Sequence, residues 1–260
     1  MIPMSSEGIL ALPPPKADER LHYGSDPQQF GDLRRPHDNK GLYPLVVFLH
    51  GGFWRARYDL AHAGHLCAAL AAVGVATWNM EYRRVGNPGG GWPGTFEDVN
   101  SGFRFVSQIA SRYALDLKRM LVMGHSAGGQ LALALAAHKN SVRHVISLAG
   151  VLDLRRAFEL HLSHDAVVEF LGGTPDQVPE HYHEASPLDL SLPNVNQVLV
   201  HGDQDDTVPV SFSRLYREAK LKRGEKVEFL ELHKDGHYEL IDPHSAAWTA
   251  IQQKVLHLLT

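Results

Sequence analysis

Met120-Leu121-Val122-Met123-Gly124-His125-Ser126-Ala127-Gly128-Gly129-Gln130-Leu131 is the stretch that decides the fold. Four apolar residues run into a Gly-x-Ser-x-Gly pentapeptide, and an Ala/Leu-rich segment ending at His138 follows at once. The apolar run predicts a strand over 120–123, buried on both faces, and the segment behind it predicts a helix over 127–138. A serine on so sharp a strand-to-helix turn needs an unusual backbone, with small residues two places to either side. Gly124 and Gly128 supply them. The start of the helix also directs free N–H groups and its positive dipole end at the turn. Ser126 is therefore the candidate nucleophile. The pentapeptide alone would read as a flexible turn; the strand and helix around it make the difference.

Working outward, the same alternation recurs. Leu45-Val46-Val47-Phe48-Leu49 is a continuous apolar run typical of a doubly covered strand. A helix is expected over 59–73, a strand over 75–79, and a Gly/Pro-rich loop over 86–94. That loop leads to a helix at about 95–113, with Thr95 or Gly94 as its cap. Beyond Ser126 come a strand at 145–148 and an irregular stretch over 151–190 with short helical patterns near 154–160 and 164–171. Regular order resumes with strand 197–200, helix 211–222, strand 226–232 and helix 244–258. The pattern predicts an α/β fold, a mostly parallel, doubly wound sheet with flanking helices. One domain is expected over 1–260, with 151–190 as a cap inserted above the site. Residues 1–40, including Pro13-Pro14-Pro15, read as an arm laid over the surface, where the pattern for two short strands is too weak to place them.

Composition narrows the function. The 260 residues are 44% hydrophobic and 21% charged, with a formal charge of −4. That balance gives no electrostatic reason to expect nucleic acid or an anionic membrane as partner. No apolar stretch approaches the ~20 residues needed to cross a bilayer, and Met1–Leu12 does not look like a signal peptide. A cytoplasmic protein is expected, with its oligomeric state open. Cys67, the single cysteine, precludes an internal disulfide and reads as a buried helical hydrophobe.

A serine hydroxyl is a weak nucleophile at neutral pH and needs a base, which in turn needs an orienting carboxylate. Two loops at the carboxyl ends of later strands carry both. His201-Gly202-Asp203-Gln204-Asp205-Asp206-Thr207-Val208-Pro209 follows strand 197–200, and His233-Lys234-Asp235-Gly236-His237-Tyr238 follows strand 226–232. His237 is favoured over His233 because Gly236 lets its loop turn back toward the sheet edge. Among Asp203, Asp205 and Asp206 spacing alone does not decide; the two not used as the acid are expected to stabilise the turn. His50-Gly51-Gly52-Phe53-Trp54 follows the first clear strand. Its glycines allow N–H groups to point inward, so Gly52 and Phe53, with Ala127, are the candidate oxyanion donors.

Taken together, these motifs resemble the α/β-hydrolase superfamily from about residue 20 onward. His50-Gly51-Gly52-Phe53-Trp54 with Gly124-His125-Ser126-Ala127-Gly128-Gly129 resembles its branch of BD-FAE-type esterases and kynurenine formamidases (arylformamidases). The resemblance implies that the acid falls on Asp205, within His-Gly-x-x-Asp-x-x-Val-Pro, and the base on His237. It further implies a serine esterase acting on a small ester, or alternatively a formamide, through an acyl-enzyme without metal or organic cofactor. A rival reading is a non-catalytic ligand receptor on this fold; the intact Ser126, Asp205 and His237 set counts against it.

Trp54, Tyr82, Trp92 and His125 are the candidate walls of a substrate pocket, with Phe53 beside them. His161, His164, His181 and His183 lack the spacing of a helical metal site and are expected to be surface residues of the cap. Arg83-Arg84 reads as a solvated strand end.

Overall fold

The computed structural model describes residues 6–37, 41–139 and 141–260. Eight strands form one sheet in the order β1-β2-β4-β3-β5-β6-β7-β8. In chain order they are β1 (Glu19–His22), β2 (Phe30–Arg34), β3 (Tyr43–Leu49), β4 (Ala76–Met80), β5 (Leu115–His125), β6 (His144–Leu148), β7 (Asn196–Gly202) and β8 (Val227–Leu232). From β4 to β8 every pairing is parallel, whereas β1 and β2 pair antiparallel and join the sheet against β4.

Helices pack on both faces. α1 (Gly64–Ala72) and α8 (Ala247–Leu258) cover one, where Leu66, Cys67, Ile251 and Val255 meet Val46, Phe48 and Met123. α2 (Gly94–Ile109), α3 (Ala127–His138) and α7 (Ser211–Lys222) cover the other, where Val99, Leu131 and Phe212 meet Leu45, Val47 and Val122. Val46 and Val47 are neighbours on opposite faces and both fully buried, so the continuous apolar run of β3 has its cause. Burying a side chain of this size stabilises the fold by roughly 1.5–3 kcal/mol.

Several boundaries differ from expectation for identifiable reasons. β5 begins at Leu115, since Asp116, Lys118 and Arg119 mask its start; a register shift against β3 at Pro44/Leu45 absorbs the polar segment. Neither Thr95 nor Gly94 is the cap of α2: Pro93 holds that place without a side-chain bond, and the helix ends at Ile109. The helix expected from 59 opens as a 3-10 turn, Leu60–Ala63, capped by the Asp59 carboxylate. The arm carries both β1 and β2, although residues 1–5 and 38–40 of it lie outside the described residues. Between β6 and β7, α4 (Leu154–Glu159) and α5 (Ala166–Leu171) fall near the expected patterns, and α6 (Pro179–Ala185) joins them. The last helix begins at Ala247, after a 3-10 turn over Tyr238–Ile241. Cys67 is buried in α1, and burial pushes its thiol up to about 12. Among the described residues no helix is long and apolar enough to cross a membrane.

Candidate active site

Ser126 stands between β5 and α3 with φ 57° and ψ −120°. A non-glycine residue is held in such a conformation only when its surroundings over-determine it, at about 1–3 kcal/mol. Here the Ser126 N–H donates to the Leu148 carbonyl at 2.8 Å, and its carbonyl accepts from Gly129 N–H at 3.0 Å. The flanking glycines are close-approach points. A Cβ on Gly124 would lie 2.1 Å from the Gly128 carbonyl oxygen, and one on Gly128 would lie 2.0 Å from that of Leu49.

Beyond β7, Asp205 is enclosed by donors. Its Oδ1 accepts the N–H groups of Thr207 at 2.9 Å and Val208 at 2.7 Å. Its Oδ2 lies 2.7 Å from His237 Nδ1 and 3.1 Å from His201 Nε2. Burial alone would raise this carboxyl, yet the hydrogen bonds and charge of His201 and His237 outweigh it and hold Asp205 well below the ordinary carboxylate range. Asp205 thus makes the turn bonds expected of its neighbours. Asp203 instead bridges to the β8 loop, with His233 Nδ1 at 2.6 Å and Lys234 N–H at 2.8 Å. His233 and Asp203 therefore pair with each other, apart from His237.

His201 is fully buried, with Nε2 2.8 Å from the Val208 carbonyl and Nδ1 2.8 Å from Ser213 Oγ. It is a support that sequence reasoning gave no role; its signal was the His-Gly-x-x-Asp spacing.

Ser126 and His237 line one cavity of ≈ 300 Å³, together with Gly52, Phe53, His62 and Asp206. No hydrogen bond joins Ser126 Oγ to His237 Nε2 among the described residues; such contacts commonly tighten only once substrate is bound. The loop after β3 passes directly over the serine, since a Cβ on Gly51 would lie 3.0 Å from that of Ser126. Gly52, Phe53 and Trp54 are all left-handed there, with φ of 111°, 49° and 57°. The N–H groups of Gly52, Phe53 and Ala127 donate to no backbone acceptor among the described residues, which leaves them free for a ligand.

Of the expected aromatic walls Phe53 lines the cavity, whereas Trp54, Tyr82 and Trp92 do not. Trp54 is 1% exposed, stacks on Phe170 at 4.5 Å and donates from Nε1 to Gln130 Oε1 at 2.9 Å. Tyr82 stacks on His50 at 4.4 Å and donates to the His50 carbonyl at 2.6 Å. Trp92 stacks on Phe96 at 5.1 Å. All three are packing residues, because the chain has a large core to fill on that face. His125 is fully buried behind the serine. The cavity is polar instead, with Tyr58, Ser163, Thr207 and Tyr238 in its wall.

The Arg83-Arg84 pair is not a solvated end. Arg83 forms a 2.7 Å ion pair with buried Asp98, and Arg84 is 2% exposed against Glu81 at 3.0 Å. Burial would raise Glu81, but His50 and Arg84 hold its carboxyl low. In the cap, His161 pairs with Asp165 at 2.8 Å and His181 Nδ1 meets the Leu171 carbonyl at 2.7 Å. Among the described residues, no group of three or more His, Cys, Asp or Glu side chains is arranged to hold a metal. A hollow of ≈ 420 Å³ beside Arg34 and Arg35 contains none of the candidate site residues.

A mostly parallel sheet, a left-handed serine before α3, and acid and histidine loops after β7 and β8 define an α/β-hydrolase fold. Residues 32–220 match the BD-FAE family, and the chain belongs to that family. It is 25% identical over 231 residues to the isoprenylcysteine alpha-carbonyl methylesterase ICME of Arabidopsis thaliana, covering 80% of this chain and 53% of that protein. It is 28% identical over 227 residues to the uncharacterized peptidase YtmA of Bacillus subtilis (strain 168), covering 82% and 83% respectively. The chain spans about half the length of the methylesterase relatives it matches. Among solved structures, esterase B from Lactobacillus Rhamnosis (HN001) superposes with a TM-score of 0.82 at 17% identity, over 98% of this chain and 89% of that one. That likeness concerns the fold.

Proposed function

We propose that this chain is a serine hydrolase of small acyl or aryl esters, with Ser126 as nucleophile, His237 as base and Asp205 as the carboxylate that orients it. Ser126 Oγ attacks the ester carbonyl carbon while His237 Nε2 takes its proton. The N–H groups of Gly52, Phe53 and Ala127 receive the developing oxyanion, where each donor is worth roughly 2.7–4 kcal/mol. The imidazolium then gives its proton to the departing alcohol oxygen, leaving an acyl-enzyme. Water, deprotonated by His237, attacks that ester, and the acid leaves as Ser126 regains its proton.

The observation that carries this reading is the 2.7 Å contact of Asp205 with His237 at the cavity that also holds the left-handed Ser126. The polar wall and modest volume of that cavity favour a small ester with a polar alcohol over a long apolar chain. As part of the same reading, the chain acts as one domain, 151–190 is a cap whose Ser163 reaches the cavity, and the enzyme works in the cytoplasm.

The test is a substrate panel of p-nitrophenyl acetate, butyrate and octanoate with feruloyl esters and N-formylkynurenine. The short esters should give the highest kcat/KM. A strong preference for N-formylkynurenine would replace the ester reading with a formamidase one.

A further inference from the structure

The imidazoles of His62, His125 and His237 stand in a row beside the serine. The rings of His62 and His125 are 4.9 Å apart, and those of His125 and His237 are 4.4 Å apart. His62 Nε2 lies 2.7 Å from His125 Nδ1, and His125 Nε2 lies 3.0 Å from the backbone carbonyl of His237. Neither His62 nor His125 has a role in the reaction steps above.

We propose that His125 and His62 are positioning residues, forming a directed hydrogen-bond chain that ties the backbone of the base to the residue beside the nucleophile. The direction follows from elementary bonding rules. A carbonyl oxygen only accepts, so His125 Nε2 carries the proton in that contact. In a neutral ring Nδ1 is then a lone pair, and His62 Nε2 supplies the N–H that meets it. His62 Nδ1 is left bare, in agreement with its being buried without a hydrogen-bond partner.

The reverse order would face a lone pair of His125 toward the carbonyl and bury an unsatisfied N–H on His62, at about 1–3 kcal/mol for the latter. A charged His125 could donate from both nitrogens, but it is fully buried. Burial first, and then the neighbouring His237 and His62, press its pKa well below the ordinary value; burial, His50 and His237 do the same to His62. Both rings are neutral and their tautomers fixed.

The consequence rests on the serine-hydrolase reading. His125 precedes Ser126 and closes β5, so its main chain is part of the sheet. His237 sits at the start of a 3-10 turn on a loop, and its carbonyl accepts from His125. With no direct bond between Ser126 Oγ and His237 Nε2, this strut and the Asp205 contact set where the imidazole stands relative to the serine. Misplacing a catalytic group by about 1 Å can cost on the order of 10²-fold in rate.

The test has two arms. Long-range ¹H–¹⁵N correlation of histidine-labelled protein should show His62 and His125 as non-titrating Nε2–H tautomers near neutral pH. A His125 ring protonated on Nδ1, or on both nitrogens, overturns the chain. This arm reads the uncomplexed protein, so its outcome is separate from any failure of Ser126 as nucleophile. In the kinetic arm, His125→Leu should lower kcat about 10²-fold with KM within about threefold. His125→Gln, whose amide can still donate to the His237 carbonyl, should recover at least about tenfold of that loss. Equal activity of the Leu and wild-type proteins, or no recovery with Gln, overturns the positioning role. If the Leu variant does not fold, the tautomers and the Gln variant decide.

Discussion

His237 Nδ1 lies 2.7 Å from Asp205 Oδ2, and that same oxygen is 3.1 Å from the buried His201 Nε2. One carboxylate therefore orients the candidate base and, through Oδ1, closes the loop that presents it. Replacing Asp205 with Asn keeps the size but allows the wrong imidazole tautomer. Ester hydrolysis by Asp205→Asn should fall by roughly 10⁴-fold in kcat. The pH dependence has a definite sign. Because the folded carboxyl titrates below its unfolded value of about 3.9, its stabilisation is present above that value and lost as pH falls through the depressed one. Acid unfolding followed by circular dichroism should show wild type losing stability below about pH 4 more steeply than the variant.

Gly52 combines φ 111° with a neighbour that leaves no room, since a Cβ there would lie 2.4 Å from that of Tyr58. Gly52→Ala should twist the loop and move the candidate oxyanion donors. The expected result is a kcat reduction of about 10²–10³-fold, with a stability loss of about 1–3 kcal/mol in denaturant titration.

Gln130 joins two segments remote in sequence. Its Oε1 accepts from Trp54 Nε1 at 2.9 Å and its Nε2 donates to the Ala185 carbonyl at 2.8 Å, with all three residues buried. Gln130→Leu leaves an indole N–H and a carbonyl unsatisfied. Urea titration should show a loss of roughly 2–6 kcal/mol, at about 1–3 kcal/mol for each of the two orphaned groups.

Cys67 is fully buried, and that burial pushes its thiol up to about 12. The native protein should leave a disulfide reagent unreacted at pH 8 and take up one equivalent when denatured. The unfolded thiol ionises from about pH 8.5, so the stabilisation is complete below that value and lost as pH rises toward 12. Cys67→Ser should flatten that alkaline decline.

How far these features could be read beforehand depends on where their cause lies. Helices Ala127–His138 and Ser211–Lys222 were legible residue for residue, since composition or apolar spacing marks both ends. β1 and β2 were not: they are four and five residues long, and the alternating burial of Glu19–His22 gives no continuous apolar run. Ser126, the His-Gly-Gly loop and the two later loops announced themselves by local chemistry. The surroundings did not. Trp54, Tyr82 and Trp92 looked like pocket walls because sequence shows an aromatic ring but not which side of a loop it packs on. Gln130 and His62 act on partners 55 to 76 residues away, at separations only folding brings together.

The central claim is that Ser126 is the nucleophile, and phosphonylation tests it most directly. Purified protein treated with a fluorophosphonate probe should gain one adduct, mapped to Ser126 by peptide mass spectrometry, with ester hydrolysis lost in parallel. Ser126→Ala should take up no probe and retain at most the ~10³–10⁴-fold enhancement over water that the rest of a site can provide. Folded protein that stays unlabelled while hydrolysing esters, or a Ser126→Ala variant with wild-type turnover, would contradict the account.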